Sequence, residues 1–313
     1  MTLEPIAGGQ SNPTFFVTYP GRRMVLRKRP AGPVLPSAHA VDREFRIMDA
    51  LAATGVPLPR MVAFHGEPDL VGTAFYVMER LDGRVFSDCS MPGAAREDRR
   101  AMIFAMADTL ARLHRVDWRA LGLGDFGREG SFFARQVRRW TGQWELSKIR
   151  ELPEVERVAA WLSSHVPTDE TTTIAHGDFR IGNMMFHPTE PRIVGVLDWE
   201  LSTLGHPLAD LAYSALAWRL VPGEYMGMRG LDLAALGIPS EDEYLKRYYA
   251  AAPEFGTATA FHTALSLFRL AVIFEGIAAR AKSGAATSDN AAAVGELSEV
   301  FARRAAEAIE AGR

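Results

Sequence analysis

The chain has 313 residues, of which 48% are hydrophobic and 23% charged, so it can bury a sizeable core and is not predicted to be disordered. This length corresponds to about two domains or lobes. The formal net charge of −3 lacks the strong basic excess of a dedicated nucleic-acid-binding protein, so no nucleic-acid partner is expected.

The N-terminal sequence and the cysteine content predict a cytoplasmic protein. Residues 1–10 contain no basic region followed by an apolar run, so a signal peptide is not expected. No apolar stretch has the length needed to span a bilayer, and we therefore expect no membrane partner. Cys89 is the single cysteine, which rules out an intramolecular disulfide and fits a reducing compartment.

Residues 1–81 are predicted to form a small β-sheet lobe with one helix. Two β-rich runs, 15–19 and 24–27, are joined by the turn signal Pro20-Gly21. Apolar residues recur at helical spacing over residues 41–51. Residues 75–78 form another apolar, aromatic strand, which leads to an Asp-Gly turn.

Residues 82–313 are predicted to form a larger, mostly helical lobe. Helical patterns cover residues 103–114, 131–148 and 154–163, and they dominate again after Pro207. Two short strand-like pieces, within residues 174–187 and 193–199, interrupt them. The Ala-rich residues 284–294 are interpreted as a loop or the start of a helix. Together these patterns predict an α+β protein with two lobes.

The strongest functional signal is HGDFRIGN at residues 176–183, followed by VLDWE at residues 196–200. Phosphoryl transfer requires a hydroxyl held in line with the γ-phosphate, and cations that offset charge on the phosphates. Asp178, on a rigid loop, can accept the proton of that hydroxyl. Asn183 and Asp198 can hold Mg²⁺ through oxygen ligands. The order and spacing of these residues therefore indicate a kinase.

The two motifs also resemble those of a known family. HGDFRIGN resembles the catalytic loop of aminoglycoside phosphotransferases and, more distantly, that of protein kinases, and VLDWE is similar to the strand that ends in their metal-binding Asp. This resemblance implies a bilobal protein-kinase-like fold with ATP and Mg²⁺ as cofactors. It implies Asp178 as the catalytic base and Asn183 and Asp198 as metal ligands. It also implies that Asp210 supports the loop through hydrogen bonds.

Other interpretations of these residues stay open at this point. His176 is expected to brace the loop, but a zinc site with His187 is an alternative, although no third ligand stands at a recognisable spacing. Glu200 either contacts a metal or the substrate, or is a loop residue held by a backbone donor.

The strand at residues 24–27 is predicted to carry the cation that grips the nucleotide phosphates. Side chains alternate along a strand, so Arg27 and Lys28 point to opposite faces, and the kinase pattern favours Arg27. Arginine can bind phosphate through two parallel hydrogen bonds. Glu44, on the predicted helix, resembles the glutamate that pairs with this cation in kinases.

Two backbone segments are predicted to contact the nucleotide. The loop Gly8-Gly9-Gln10-Ser11-Asn12 lies where its backbone N–H groups, including those of Ser11 and Asn12, can bend over the phosphates. The segment after the strand at residues 75–78 resembles the hinge between kinase lobes, in which the backbone of Glu79 and Leu81 would bind adenine.

The resemblance covers nearly the whole chain, and it is closest to the phosphotransferase domains associated with acyl-CoA dehydrogenases. That branch implies a small-molecule hydroxyl acceptor, with 4-hydroxyacyl-CoA suggested by analogy. The segment FFARQVRRWTGQWELSKIR, at residues 132–150, has five cations and one acid, which suits an anionic acceptor as well as it suits a solvated helix. Alternatives are a kinase of the same fold acting on an aminoglycoside, sugar or amino alcohol, or a non-catalytic nucleotide-binding pseudokinase.

Overall fold

A computed structural model describes residues 1–6, 12–32, 39–283 and 294–312. Most of the Gly-Gly loop, with Ser11, lies outside the described residues, as do residues 284–293 of the Ala-rich stretch.

The N-terminal part is a five-stranded antiparallel sheet covered by one helix. Its strands have the order β1-β2-β3-β5-β4. They are β1 (Thr2–Pro5), β2 (Thr14–Tyr19), β3 (Arg22–Lys28), β4 (Met61–His65) and β5 (Phe75–Glu79). The helix α1 spans Val41–Leu51, as its apolar spacing predicts. Its side chains Ile47, Met48 and Leu51 are buried in the core.

The β2–β3 hairpin is formed by the predicted Pro20-Gly21 turn. Gly21 has φ of 75°, a left-handed conformation that glycine adopts without a Cβ clash. The register pairs Thr14 with Arg27 and Phe16 with Val25. This register places alternate β3 side chains, Val25 and Arg27 among them, on the face that lies towards the second part of the molecule.

The C-terminal part is mainly helical. Its helices are α2 (Arg96–His114), α3 (Phe132–Ser147), α4 (Pro153–Ser164), α5 (Pro207–Ala215), α6 (Leu233–Leu236), α7 (Glu241–Ala251), α8 (Ala260–Lys282) and α9 (Leu297–Ala311). One hydrophobic core joins α1 to α2 and α7, and a second lies between α3, α4, α8 and α9. The α+β class predicted from the sequence is therefore confirmed.

Four short strands lie between the helices and carry the polar loops of the sequence motifs. They are β6 (Thr173–Ala175), β7 (Met184–Phe186), β8 (Ile193–Val196) and β9 (Thr203–Gly205). They form two antiparallel pairs, β6 with β9 and β7 with β8. The two pairs bring residues 176–183 and residues 197–202 side by side.

In the part of the chain that the structure describes, no helix combines the length and the apolar character needed to cross a bilayer.

Candidate active site

Asp178 lies at the centre of a hydrogen-bond network in the loop between β6 and β7. Its Oδ1 accepts from the Tyr213 hydroxyl at 2.6 Å. Its Oδ2 accepts from Asn183 Nδ2 at 2.7 Å and from Arg180 Nε at 3.1 Å. A carboxylate has about four acceptor sites, and these donors use three of them. One site on Oδ1 therefore stays open to a further donor, such as a hydroxyl group.

Asn183 connects this carboxylate to the second motif. Its side-chain N–H group also donates to the Asp178 carbonyl at 2.8 Å, so its own carbonyl oxygen Oδ1 is left as an acceptor. Its main-chain carbonyl accepts from Leu197 N at 2.8 Å, directly before Asp198. The structure thus brings together Asp178, Asn183 and Asp198, which the sequence motifs single out.

Buried polar groups form hydrogen bonds with the loop at residues 176–183 and stabilise it. Asp210, at the first turn of α5, accepts hydrogen bonds from the backbone N–H groups of His176 and Gly177. Burial alone would raise the pKa of Asp210, but the neighbouring histidines His114 and His176 and these N–H groups hold it below its usual range. An ionised Asp210 therefore fixes the start of the loop, as the resemblance implies.

His176 braces the loop through both ring nitrogens. Its Nε2 donates to the Leu197 carbonyl at 3.0 Å, while Nδ1 accepts from Asp178 N at 3.2 Å. Gly177 has φ of 83°, and a Cβ there would come within 2.6 Å of the Leu201 carbonyl oxygen, so only glycine fits. No group of three or more metal-ligating side chains exists among the described residues, which leaves the zinc alternative unsupported.

The backbone of Asp198 is in a left-handed conformation, with φ of 65°. Non-glycine residues adopt this conformation rarely, and they do so mostly where the surrounding structure imposes it. Here Trp199 is buried against the His176 ring, and its indole N–H donates to the Val196 carbonyl. With Trp199 anchored inward, the Asp198 carboxylate is about one-third exposed at the base of the cleft.

The second half of the site lies on β3 and α1. Arg27 Nε is 3.0 Å from Glu44 Oε2, and this ion pair is largely buried. Glu44 also accepts hydrogen bonds from the Tyr76 hydroxyl at 3.0 Å and from Asn12 Nδ2 at 2.7 Å. Burial raises the pKa of Glu44 to about 7, although the charge of Arg27 opposes this shift.

Arg27 also bridges to the polar motifs of the other part of the molecule. Its Nη2 donates to Asp198 Oδ1 at 3.2 Å and lies 3.7 Å from Glu200 Oε2. Lys28 points away, and its ammonium group donates to the Val71 carbonyl. Arg27 therefore lies on the side of the cleft and Lys28 on the opposite face, as the alternation of side chains along the strand predicts.

A cleft of about 440 Å³ opens between the sheet and the motifs. Apolar side chains of Val25, Met78 and Met185 line it, together with Arg27 and Asp198. Glu79 and Leu81 line it as well. The Glu79 N–H group donates to the Arg60 carbonyl, so of the two backbone groups of Glu79 its carbonyl is the one available to a ligand.

The side chain of Asn12 has a role that the sequence did not indicate. Asn12 is 1% exposed, and its side-chain amide donates a hydrogen bond to Glu44 on α1. Tyr76, Tyr213 and Arg180 were likewise not singled out, although each bonds to a predicted site residue. Arg180 lies within the HGDFRIGN motif itself, and its position two residues after Asp178 is a signal that could have identified it.

The basic segment at residues 132–150 forms α3 and the turn after it, and most of its cations have partners. Arg135 donates to main-chain carbonyls of residues 128 and 130, and Lys148 pairs with Glu145 and Glu156. Arg150 pairs with the buried Glu275. Arg138 and Arg139 are exposed. The charge excess of this segment is therefore smaller than its composition indicates.

Asn183 and Asp198 carry oxygen atoms that could bind a divalent cation, and the hydrogen bond from Leu197 N to the Asn183 carbonyl keeps the two residues close together. Mg²⁺ is commonly bound by one or two protein carboxylates or amides, with phosphate oxygens completing its coordination. The carboxylate of Asp198 and the free Oδ1 of Asn183 are hard donors of this kind, so these residues fit a magnesium ion.

The chain is similar in sequence to a known enzyme family and to parts of longer proteins. Residues 2–255 match the model of the phosphotransferase enzyme family. Acyl-CoA dehydrogenase family member 10 of Mus musculus is 43% identical over 310 residues, covering 97% of this chain and 29% of that protein. Acyl-CoA dehydrogenase family member 11 of Homo sapiens is 37% identical over 300 residues, covering 93% and 38%. The chain thus spans less than half the length of these relatives.

Solved structures show the same fold. A Ralstonia eutropha JMP134 protein, provisionally assigned as an aminoglycoside phosphotransferase, is 42% identical, with a TM-score of 0.92 over 100% of this chain and 93% of that one. A thermostable aminoglycoside phosphotransferase mutant crystallised with AMP-PNP and hygromycin B is 16% identical, with a TM-score of 0.63 over 96% and 93%. The second likeness concerns the fold alone, and together they confirm the predicted kinase-like architecture.

Proposed function

The chain belongs to the phosphotransferase enzyme family, and we propose that it is an ATP- and Mg²⁺-dependent kinase that phosphorylates a hydroxyl group of a small molecule. The single observation that supports this most strongly is the convergence of Asp178, Asn183 and Asp198 beside the Arg27–Glu44 pair. In this proposal residues 1–81 form the nucleotide-binding lobe, and residues 82–313 form the lobe that carries the catalytic and acceptor-binding groups.

The nucleotide is proposed to bind in the 440 Å³ cleft. Apolar walls suit an adenine ring, and the carbonyl of Glu79 and the N–H group of Leu81 supply its hydrogen bonds. Arg27, oriented by Glu44, contacts the phosphates. Backbone N–H groups of the loop at residues 8–12, including Ser11 and Asn12, are proposed to cover them.

Transfer of the γ-phosphoryl group is assigned to Asp178. The acceptor hydroxyl donates to the open site on Asp178 Oδ1, next to the Tyr213 contact. As the hydroxyl oxygen forms its bond to the γ-phosphorus, the bond from that phosphorus to the β,γ-bridging oxygen breaks. ADP leaves with that electron pair, and the hydroxyl proton passes to Asp178. Bound Mg²⁺ supplies positive charge that offsets the charge of the phosphates.

The acceptor is proposed to be anionic, a hydroxyacyl-CoA or a hydroxy acid, because one arginine contacts Asp178 and a second contacts the residue before it. Arg180 contacts its carboxylate, and Arg269 donates to the Gly177 carbonyl beside the Tyr213 ring. No carboxylate pairs with Arg269 within the described ranges. A polycationic aminoglycoside would be repelled by these groups, whereas a carboxylate or CoA thioester would be attracted.

We expect Mg²⁺-ATP and a 4-hydroxyacyl-CoA to give acceptor-dependent ADP release, whereas kanamycin gives only the background rate. A coupled assay over hydroxyacyl-CoAs, hydroxy acids, amino alcohols and aminoglycosides measures this. The Asp178→Asn enzyme is the control for acceptor-independent hydrolysis. Robust turnover of an aminoglycoside would contradict the anionic acceptor, and the absence of turnover with every hydroxyl compound would contradict the kinase.

Replacing Arg27 with alanine should raise the KM for ATP by ~10–100-fold, because a charged hydrogen bond to phosphate contributes about 1.5–3 kcal/mol. Steady-state kinetics at saturating acceptor measure the effect. Lys28→Ala, the matched control one residue along β3, should leave the KM unchanged because its side chain points to the opposite face. The reverse ranking would show that Lys28 binds the phosphates.

A further inference from the structure

Glu44, the carboxylate on α1 that pairs with Arg27, is 1% exposed. Its Oε2 accepts from the Tyr76 hydroxyl at 3.0 Å and lies 3.0 Å from Arg27 Nε. Its Oε1 accepts from the Asn12 side-chain amide at 2.7 Å. A carboxylate this deeply buried keeps its charge only when donors and a counter-ion replace the water that it loses. Each oxygen of Glu44 therefore depends on its own donor, and Asn12 supplies the one at Oε1.

The amide of Asn12 is fixed from both of its ends. Its Nδ2 donates to Glu44, and its Oδ1 lies 3.2 Å from Nδ1 of His39, just before α1. An amide oxygen can only accept, so His39 donates through Nδ1. The Asn12 main-chain carbonyl accepts from the Thr14 hydroxyl at 2.9 Å, which holds the backbone as well. Asn12 is thus oriented as a donor to Glu44, and a flipped amide would bring two acceptors together.

The charge of Glu44 is sensitive to the loss of a donor. Burial raises its pKa to about 7, and the Asp198 and Glu200 carboxylates act in the same direction. The charge of Arg27 and the Tyr76 hydroxyl oppose this shift. A hydrogen bond to the ionised form lowers the pKa of a carboxyl group. Without the amide donor at Oε1, Glu44 should therefore be mostly protonated at neutral pH.

Arg27 has carboxylates on two sides, so the charge of Glu44 decides how it is held. Its Nε faces Glu44, whereas its Nη2 donates to Asp198 at 3.2 Å and lies 3.7 Å from Glu200. A neutral Glu44 would no longer compete for the guanidinium group, and Arg27 would be held by Asp198 and Glu200. Phosphate and Mg²⁺ would then have to separate a stronger ion pair before binding.

Resting on the proposed function, we propose that Asn12 is a positioning residue, whose side-chain amide keeps Glu44 in the charged form that holds Arg27 ready for the nucleotide phosphates. Asn12 is not among the residues that line the cleft, so its side chain acts through Glu44. It thereby sets the lower end of the pH range in which the nucleotide binds well.

The first test measures the affinity of Asn12→Ala for AMP-PNP with Mg²⁺ by calorimetry between pH 6 and pH 9. Loss of a hydrogen bond to a charged group should raise the pKa of Glu44 by about one to two units. The affinity should then fall ~5–50-fold at pH 7 and less than about threefold at pH 9, where Glu44 is ionised again. Damage to the fold alone would not be repaired by raising the pH.

Three further variants complete this test. Glu44→Gln should bind weakly throughout the range, and adding Asn12→Ala to it should introduce no new pH dependence, because the titrating group is gone. Gln143→Ala removes an exposed amide from α3 and should keep the wild-type affinity at every pH. Asn12→Asp keeps the shape of the side chain and gives the answer if Asn12→Ala does not fold. Two carboxyl groups this close cannot both ionise, so its loss of affinity should also be largest near neutral pH.

The second test does not need a nucleotide. A group whose pKa is raised by folding loses stability as the pH rises through that pKa. Asn12→Ala should therefore be more destabilised at pH 9 than at pH 6, by ~10–100-fold in the unfolding equilibrium constant. Urea denaturation measures this difference, which should disappear when Glu44→Gln is also present.

The outcomes separate the role of Asn12 from the nucleotide site. Equal losses of affinity at pH 7 and pH 9, or unchanged affinity at both, would overturn the role of Asn12 and leave the kinase standing. Wild-type protein that does not bind AMP-PNP at any pH, together with the pH-dependent destabilisation, would overturn the nucleotide site and support the pairing of Asn12 with charged Glu44. Absence of both effects would overturn both proposals.

Discussion

Replacing Asp178 with asparagine is expected to lower kcat by ~10²–10⁴-fold, the usual contribution of a general base. The amide is nearly isosteric but cannot take the proton of the acceptor hydroxyl. Affinity for the nucleotide should be unchanged, because Asp178 contacts Tyr213, Arg180 and Asn183, and none of these residues lines the cleft in which we propose that the nucleotide binds. Single-turnover kinetics and AMP-PNP binding measure the two effects separately.

The matched control for this variant is Asp242→Asn, which removes an exposed carboxylate from α7. It should have wild-type turnover. Near-normal turnover in Asp178→Asn would mean that another group accepts the proton. Equal losses of turnover and of nucleotide affinity would mean that the substitution damages the loop as a whole.

Asp198→Asn is expected to abolish the effect of Mg²⁺ on nucleotide binding. Loss of a residue that only supports a metal ligand costs ~10–100-fold in metal affinity, and loss of a ligand should cost at least as much. Asparagine tolerates the left-handed backbone of this position, so the substitution removes the charge and not the local conformation. Calorimetric titration of AMP-PNP with and without Mg²⁺ measures the difference.

The control for this second variant is Glu200→Gln. It removes a carboxylate from the same cluster, 3.7 Å from Arg27, and leaves Asp198 in place. If Glu200→Gln abolished the effect of Mg²⁺ while Asp198→Asn kept it, the metal ligand would be Glu200. Identical behaviour of both variants would indicate general electrostatic attraction by the cluster instead.

The elements that could be predicted from the sequence are those with a local signal. α1 spans the residues that its apolar spacing indicates, and the β2–β3 turn lies at Pro20-Gly21. β4 was not predicted. Its alternate residues Val62 and Phe64 are exposed, so the sequence shows no alternation of buried and exposed side chains there. The strand forms because it pairs with β5 at the sheet edge. β9 has three residues and depends equally on its partner β6.

The residues of the candidate site also differ in whether a local sequence signal could identify them. Asp178, Asn183 and Asp198 could be identified because their spacing matches one loop and one strand end. Tyr213 could not, because it reaches Asp178 from 35 residues away along the chain. The partners of Arg150 were also missed, since Glu275 lies on α8 and only the packing of α3 against α8 brings the two together. For this reason the composition of residues 132–150 overestimates the number of cations that lack an acidic partner.

The contact between Arg27 and Asp198 has a thermodynamic consequence. In the state described here the two side chains neutralise each other across the cleft. A phosphate bound to Arg27 would leave Asp198 without its counter-ion, and a cation bound to Asp198 would leave Arg27 with Glu44 as its nearest carboxylate. Each ligand would therefore improve the site for the other, and linkage would make this improvement reciprocal. We therefore expect the phosphate and the cation to bind cooperatively in the cleft, and each of them to bind with low affinity in the absence of the other.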